Sequence, residues 1–220
     1  MNHTVKLNKP IRNVLIIGDS YSTFKGYIPK DYGPYYTGEW GTDLTKVEET
    51  WWHRFVTRTG ANLVLNDSWS GSTVCYTGRV SPEFAYRSSF IHRMHLMIKD
   101  GFFEREKIDT VLIFGATNDS WLETTPKGEI QLSDWTEEDL YSTLPAIGYM
   151  IAKLKEILPD GNIIYMINTE LLPCINEAVK VASDHFGTSY LEFDYIDKTD
   201  GHPTVKGMTD ICDQLMAAIG

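Results

Sequence analysis

The sequence predicts an α/β fold, a doubly wound parallel sheet of about five strands with helices on both faces. Three observations lead there. Short apolar runs, Val14-Leu15-Ile16-Ile17, Val111-Leu112-Ile113-Phe114 and Ile163-Ile164-Tyr165-Met166-Ile167, lack polar alternation and so read as strands buried on both faces. Longer segments with apolar residues three and four apart separate the strands, as helices do in β-α-β units. The strands also run into loops of Gly, Ser, Asp and Asn, and open parallel sheets build their sites at the carboxyl ends of their strands.

Residues 12–18 form the first expected strand, ending in Gly18-Asp19-Ser20, where glycine lets the backbone turn sharply. Residues 21–50 have no helical or strand period and carry Tyr27, Tyr32, Tyr35, Tyr36 and Trp40. Such a long aperiodic connection, rich in aromatics, is expected to be an ordered loop beside the site. Trp51, Trp52, Phe55 and Val56 mark a helix over 47–59 that stops at Gly60. A second strand, Asn62-Leu63-Val64-Leu65-Asn66, leads into Asp67-Ser68-Trp69-Ser70-Gly71-Ser72-Thr73.

A helix over 87–99 places Phe90, Ile91, Met94 and Ile98 on one face and stops at Asp100-Gly101. The third strand, 110–115, ends in Ala116-Thr117-Asn118-Asp119, and 121–132 reads as loop. The longest helical stretch, 136–158, carries Leu140, Leu144, Ile147, Ile151, Leu154 and Leu158, with Pro145 as a point of kinking. The fourth strand covers 162–167, a helix 172–186, the fifth strand 190–193, and an amphipathic helix 205–219 closes the chain. No repeat, low-complexity tract or linker interrupts the pattern, so 1–220 reads as a single domain.

Thirty Asp and Glu against twenty Lys and Arg give a net charge of -10, which argues against a nucleic-acid partner. Cys75, Cys174 and Cys212 lie far apart without CxxC spacing, so neither a zinc site nor a disulfide framework is expected, and all three read as buried apolar residues. His92 and His95 sit three apart on a helix with no third ligand nearby, and His53 adjoins Trp51 and Trp52; all three read as packing residues, and no metal or cofactor is expected. Residues 1–10 are polar and no run of about 18 apolar residues occurs, so neither a membrane span nor a signal peptide is expected. The chain as it stands reads as soluble and cytoplasmic, or as secreted or periplasmic if a leader has been removed; the oligomeric state stays open.

A serine needs a base to take its proton, and the oxyanion formed by attack on an ester needs fixed donors. Ser20, Gly71 and Asn118 follow the first three strands and so fall on one sheet edge, while His202 lies in Asp200-Gly201-His202-Pro203 just before the last helix. These blocks, with Gly115-Ala116-Thr117-Asn118-Asp119, resemble in type and order the four blocks of the SGNH (GDSL-type) hydrolases. The resemblance implies a flavodoxin-like three-layer α/β/α sandwich and ester hydrolysis through an acyl-enzyme. It implies Ser20 as nucleophile, His202 as general base, and an oxyanion hole of the Ser20 and Gly71 backbone N–H groups with the Asn118 amide. The family spacing is Asp-x-x-His, but Thr199 stands three before His202; Asp200 is the preferred acid, Asp197 the alternative, and an orienting backbone carbonyl would also serve. Asp19 and Asp119 are expected to steady their loops.

The aromatic residues of the long loop have two readings, sugar-stacking platforms or a satellite core, and Tyr35, Tyr36 and Trp40 are the candidates for contact with a carbohydrate. The expected substrate is a small acyl ester, foremost an O-acetyl group on a carbohydrate, with lysophospholipids and thioesters open. A non-catalytic glycan-binding module is the alternative from another class. A nucleotide binder is weaker, because the first loop has no glycine-rich phosphate cradle.

Overall fold

The computed structural model describes residues 5–220, so the first four residues of the polar amino terminus lie outside the described residues. Five strands, β1 (Asn13–Gly18), β2 (Asn62–Ser68), β3 (Thr110–Gly115), β4 (Asn162–Ile167) and β5 (Ser189–Glu192), form a parallel sheet in the order β2-β1-β3-β4-β5. That is the flavodoxin-like order, in which the chain reverses direction across the sheet between β1 and β3. The register sets Gly18 opposite both Ser68 and Phe114, which aligns the ends of β1, β2 and β3.

Strand residues alternate between two cores. Leu15, Ile17, Val111, Ile113 and Ile163 pack against α3 (Phe90–Lys99), α6 (Thr143–Ile157) and α7 (Pro173–Phe186). Val14, Ile16, Leu112, Phe114 and Ile164 pack against α1 (Trp51–Thr59) and α8 (Val205–Ile219). Both faces are covered, which explains why these strands show no polar period. Each fully buried Val, Leu or Ile contributes about 1.5–3 kcal/mol.

Several expected elements shift in their details. The helix expected over 87–99 is two, α2 (Pro82–Ser88) and α3, because Ser89 breaks the ladder and its side chain caps α3 at His92. The helix expected over 136–158 begins only at Thr143, after a single 3-10 turn at Glu138–Tyr141. Pro145 therefore sits in the first turn of α6, where no hydrogen bond from its nitrogen is required, and produces no kink. Cys75 and Cys212 are buried as expected, but Cys174 lies in the first turn of α7 and is exposed. The remaining elements are α4 (Phe102–Arg105), α5 (Thr117–Trp121) and a hairpin of β6 (Lys198–Thr199) and β7 (His202–Pro203). Among the described residues no helix is long and apolar enough to cross a membrane.

Helix α8 reaches the hairpin closely at Gly207, where a Cβ would stand 2.0 Å from the Asp197 carbonyl oxygen. Glycine to alanine inside a helix ordinarily stabilises by up to about 1 kcal/mol. Gly207→Ala is expected to do the reverse, costing about 1–3 kcal/mol in urea unfolding because the clash is with backbone; a stabilised variant would contradict this packing.

Candidate active site

The first strand delivers Ser20 past a close packing of side chains that glycine accommodates, since a Cβ on Gly18 would lie 2.7 Å from Ser68 Oγ and 2.8 Å from Ser22 Oγ. Asp19 caps the following one-turn 3-10 helix, accepting the Tyr21 N–H at 3.0 Å. Burial pushes the Asp19 carboxyl up to about 7, against the Tyr21 N–H and Thr117 that favour its charge. It steadies the loop, as expected.

Gly71 turns the loop after β2 with a φ of 79°, a left-handed value that glycine adopts without strain. The Ser20 and Gly71 N–H groups donate to no acceptor among the described residues. Asn118 stands in the first turn of α5, entered through a left-handed Ala116, and its Nδ2 donates to the Ser72 carbonyl at 2.9 Å. That bond spends one amide hydrogen and leaves the second. Asp119 is a buried anchor whose carboxylate accepts the Val74 N–H at 2.9 Å and the Thr143 hydroxyl at 3.3 Å. Lys127 Nζ donates to the carbonyls of Asp119, Leu122 and Thr125, satisfying the carboxyl end of the short α5.

His202 arrives from the far end of the chain. Asp200 and Gly201 join β6 to β7 with φ of 49° and 77°, both left-handed as a type I′ turn requires, and Asp-Gly is a preferred pair for it. His202 Nε2 lies 2.9 Å from Ser20 Oγ, and Nδ1 lies 3.2 Å from the Asp200 main-chain carbonyl. A carbonyl only accepts, so Nδ1 carries the proton and Nε2 presents its lone pair to the serine hydroxyl. Burial lowers the imidazole from its ordinary value, opposed by the Asp200 carbonyl and reinforced by the charges of Arg79 and Lys198. The neutral, proton-accepting form is the one favoured.

The contact to His202 from Asp200 is thus made by the main chain, in place of the carboxylate expected there. The Asp197 carboxylate is engaged elsewhere: it accepts from the Thr204 and Tyr195 hydroxyls and braces the start of α8.

The long loop after β1 holds the hairpin from the other side. Tyr21 donates its hydroxyl to the Gly201 carbonyl, Tyr36 and Thr42 donate to the Pro203 carbonyl at 2.9 and 3.0 Å, and Asp43 accepts the Val205 N–H at 2.8 Å. Tyr36, expected to contact substrate, is instead fully buried with its hydroxyl committed to this bracing. Tyr35 lies flat on the His202 ring, centroids 3.6 Å apart and planes 6° apart, and Trp40 leans on Tyr35 at 4.9 Å while 63% exposed.

Trp121, missed by the sequence reading, stands edge-on to His202 at 5.8 Å. It follows Asn118 by three positions on α5, a spacing that puts both on one helix face and that could have flagged it. His92 and His95 share no ligand: His95 lies between the hydroxyls of Tyr76 and Tyr149, and His92 packs on Tyr86. Among the described residues no cluster of three or more His, Cys, Asp or Glu side chains is arranged to hold a metal ion.

The family model described as GDSL-like lipase/acylhydrolase matches residues 12–219. The chain belongs to that family. Its structure is similar to that of a GDSL-like lipase from Bacteroides uniformis at 39% identity and TM-score 0.84, covering 95% of each chain. A GDSL-like lipase from Bacteroides ovatus matches at 36% identity and TM-score 0.83, covering 94% of this chain and 97% of the other. A family two carbohydrate esterase from Clostridium thermocellum, solved with cellohexaose, shares the fold at 18% identity and TM-score 0.64, covering 96% of this chain and 64% of that one. No curated protein matches the chain. This GDSL-like chain is an SGNH-type serine ester hydrolase on a three-layer α/β/α fold.

Because main-chain oxygen meets Nδ1, Asp200→Asn is expected to lower kcat/KM by no more than about 10-fold, asparagine tolerating the left-handed turn. Where a carboxylate performs this task its loss costs on the order of 10^4. A fall of that size in steady-state kinetics would return the role to the Asp200 side chain.

Proposed function

We propose that this hydrolase removes small acyl groups, foremost O-acetyl, from carbohydrate esters through an acyl-enzyme on Ser20. The observation that carries the chemistry is the 2.9 Å approach of His202 Nε2 to Ser20 Oγ. Ser20 Oγ attacks the acyl carbon as its proton passes to His202 Nε2. The tetrahedral oxyanion is received by the Ser20 and Gly71 N–H groups and the free Asn118 amide hydrogen. The intermediate collapses when the imidazolium gives its proton to the leaving alcohol. Water then repeats the sequence with His202 as base, releasing the carboxylic acid and restoring the serine.

Tyr35 stacks on the imidazole and so shares with the Asp200 carbonyl the task of holding the ring. Two considerations support a carbohydrate as the alcohol. Trp121 beside the imidazole and Trp40 against Tyr35 both remain exposed, suited to the flat apolar faces of sugars. The fold neighbours include proteins described as a carbohydrate esterase and an acetyl xylan esterase.

The test is an ester panel, namely p-nitrophenyl acetate, acetylated xylan and long-chain acyl esters, run on wild type and Ser20→Ala. Acetyl release is expected from wild type alone and faster than long-chain hydrolysis. Because the base must be neutral, and its folded value lies below the ordinary 6.5 for histidine, activity should be retained above that lowered value and lost as pH falls through it. Equal rates for the two proteins would overturn the nucleophile, a preference for long chains would overturn the acetyl reading, and an acid limb above 6.5 would contradict a desolvated base.

A further inference from the structure

One charged side chain lies beneath the site without any part in the chemistry above. Arg93, on α3, is 1% exposed, the most completely buried cation among the described residues. Its Nη1 donates to both the main-chain and carboxylate oxygens of Asp67 at the end of β2. Nη2 donates to the Gly18 carbonyl at 3.0 Å and reaches Ser72 Oγ at 3.5 Å, while Nε donates to the Ser88 carbonyl at 2.8 Å.

Three of these partners, Gly18, Asp67 and Ser72, belong to the peptide segments that carry Ser20 and Gly71, while Ser88 ends α2. Gly18 is two residues before Ser20, and its carbonyl also accepts the Trp69 N–H at 3.1 Å, tying the ends of β1 and β2 together. Ser72 follows Gly71 directly; its hydroxyl donates to the Trp69 carbonyl at 2.6 Å, and its own carbonyl receives the Asn118 amide. The third segment is also supported from α3, because the Phe90 ring fills the space beside Gly115, where a Cβ would come within 2.3 Å of it. The guanidinium lies 4.8 Å from that same ring. Phe90 and Arg93, three apart, thus project from one helix face under the ends of all three strands.

Ion pairing alone does not account for this arrangement, because a buried pair recovers little net stability after its desolvation. What the planar, forked guanidinium supplies is direction: donors fixed relative to one another, reaching the end of β1, the segment from Asp67 to Ser72 and the end of α2 at once. An ammonium could hold Asp67 but could not span the same set.

We propose that Arg93 is a positioning residue for the oxyanion pocket, fixing the relative placement of the Ser20, Gly71 and Asn118 donors through Gly18, Asp67 and Ser72. The inference rests on the esterase reading above. It acts through the donors, so its loss affects stabilisation of the transition state more than binding of the ester.

The test is a double-mutant cycle on p-nitrophenyl acetate hydrolysis between Arg93→Lys and Asn118→Ala, with folding followed by circular dichroism. Arg93→Lys should lower kcat on the order of 100-fold, comparable to loss of one oxyanion donor, with KM changed by no more than about 3-fold. The double variant should lose much less than the product of the two single losses, since both damage one pocket. An unchanged kcat in folded Arg93→Lys, or losses that multiply, would overturn the inference by making the guanidinium a structural support only. Should Arg93→Lys fail to fold, Ser72→Ala, which removes the hydroxyl beneath Asn118's acceptor, takes its place in the same cycle with the same two outcomes. A wild type without activity overturns the esterase reading; an active wild type with an unaffected cycle overturns this inference alone.

Discussion

A single hydrogen bond between Ser20 and His202, 182 positions apart, sets the demands on the rest of the structure. Neither partner lies within a long regular element. Ser20 occupies a one-turn helix and His202 the second strand of a two-residue-per-strand hairpin, elements too short to hold themselves in place. Their relative position comes from hydrogen bonds sent across the chain: Tyr21 to Gly201, Tyr36 and Thr42 to Pro203, and Val205 to Asp43. The long aromatic loop thus acts as a clamp, with buried rings on the inside and Tyr35 and Trp40 on the face beside the imidazole.

The turn chemistry explains how the His202 ring is oriented. An Asp-Gly pair in two successive left-handed conformations closes the hairpin tightly, and the same geometry turns the Asp200 carbonyl toward Nδ1. A neutral acceptor fixes the imidazole tautomer without placing a carboxylate against the ring. Under the proposed mechanism the developing imidazolium also faces the Tyr35 π-system at stacking distance, an arrangement that favours a cation over an aromatic face. The buried carboxylates are kept elsewhere: Asp19 and Asp119 accept backbone N–H groups, and Asp67 faces Arg93. Each holds a loop at the strand ends, consistent with the cost of burying charge without partners.

Much of this could be read from residue order. Strands β1, β3 and β4 were legible because both of their faces are buried, which makes them continuous apolar runs, and Ser20 and Asn118 stood out because each follows such a run; Gly71 follows the half-buried edge strand β2 and was marked only by the small-residue loop around it. Tyr36 was not, since an aromatic in an aperiodic loop gives no sign of whether its hydroxyl meets solvent or a distant carbonyl such as that of Pro203. An orienting main-chain carbonyl was among the alternatives for His202, but main-chain acceptors leave no mark in residue identity, so nothing in the sequence picked out that of Asp200. Helix α2 carried a readable start in Ser81-Pro82, a cap followed by proline at the first helical position. Arg93 carried no signal of its own in the sequence; only the sheet register, which aligns Gly18 with Ser68, brings its partners together.

The central claim is that Ser20 is activated by an imidazole delivered across the sheet edge, and reaction with a fluorophosphonate followed by peptide mass mapping tests it most directly. The account predicts one adduct, on the peptide containing Ser20, formed rapidly in wild type and lost in His202→Ala. An adduct on another serine, or labelling of Ser20 at the same rate without His202, would contradict it.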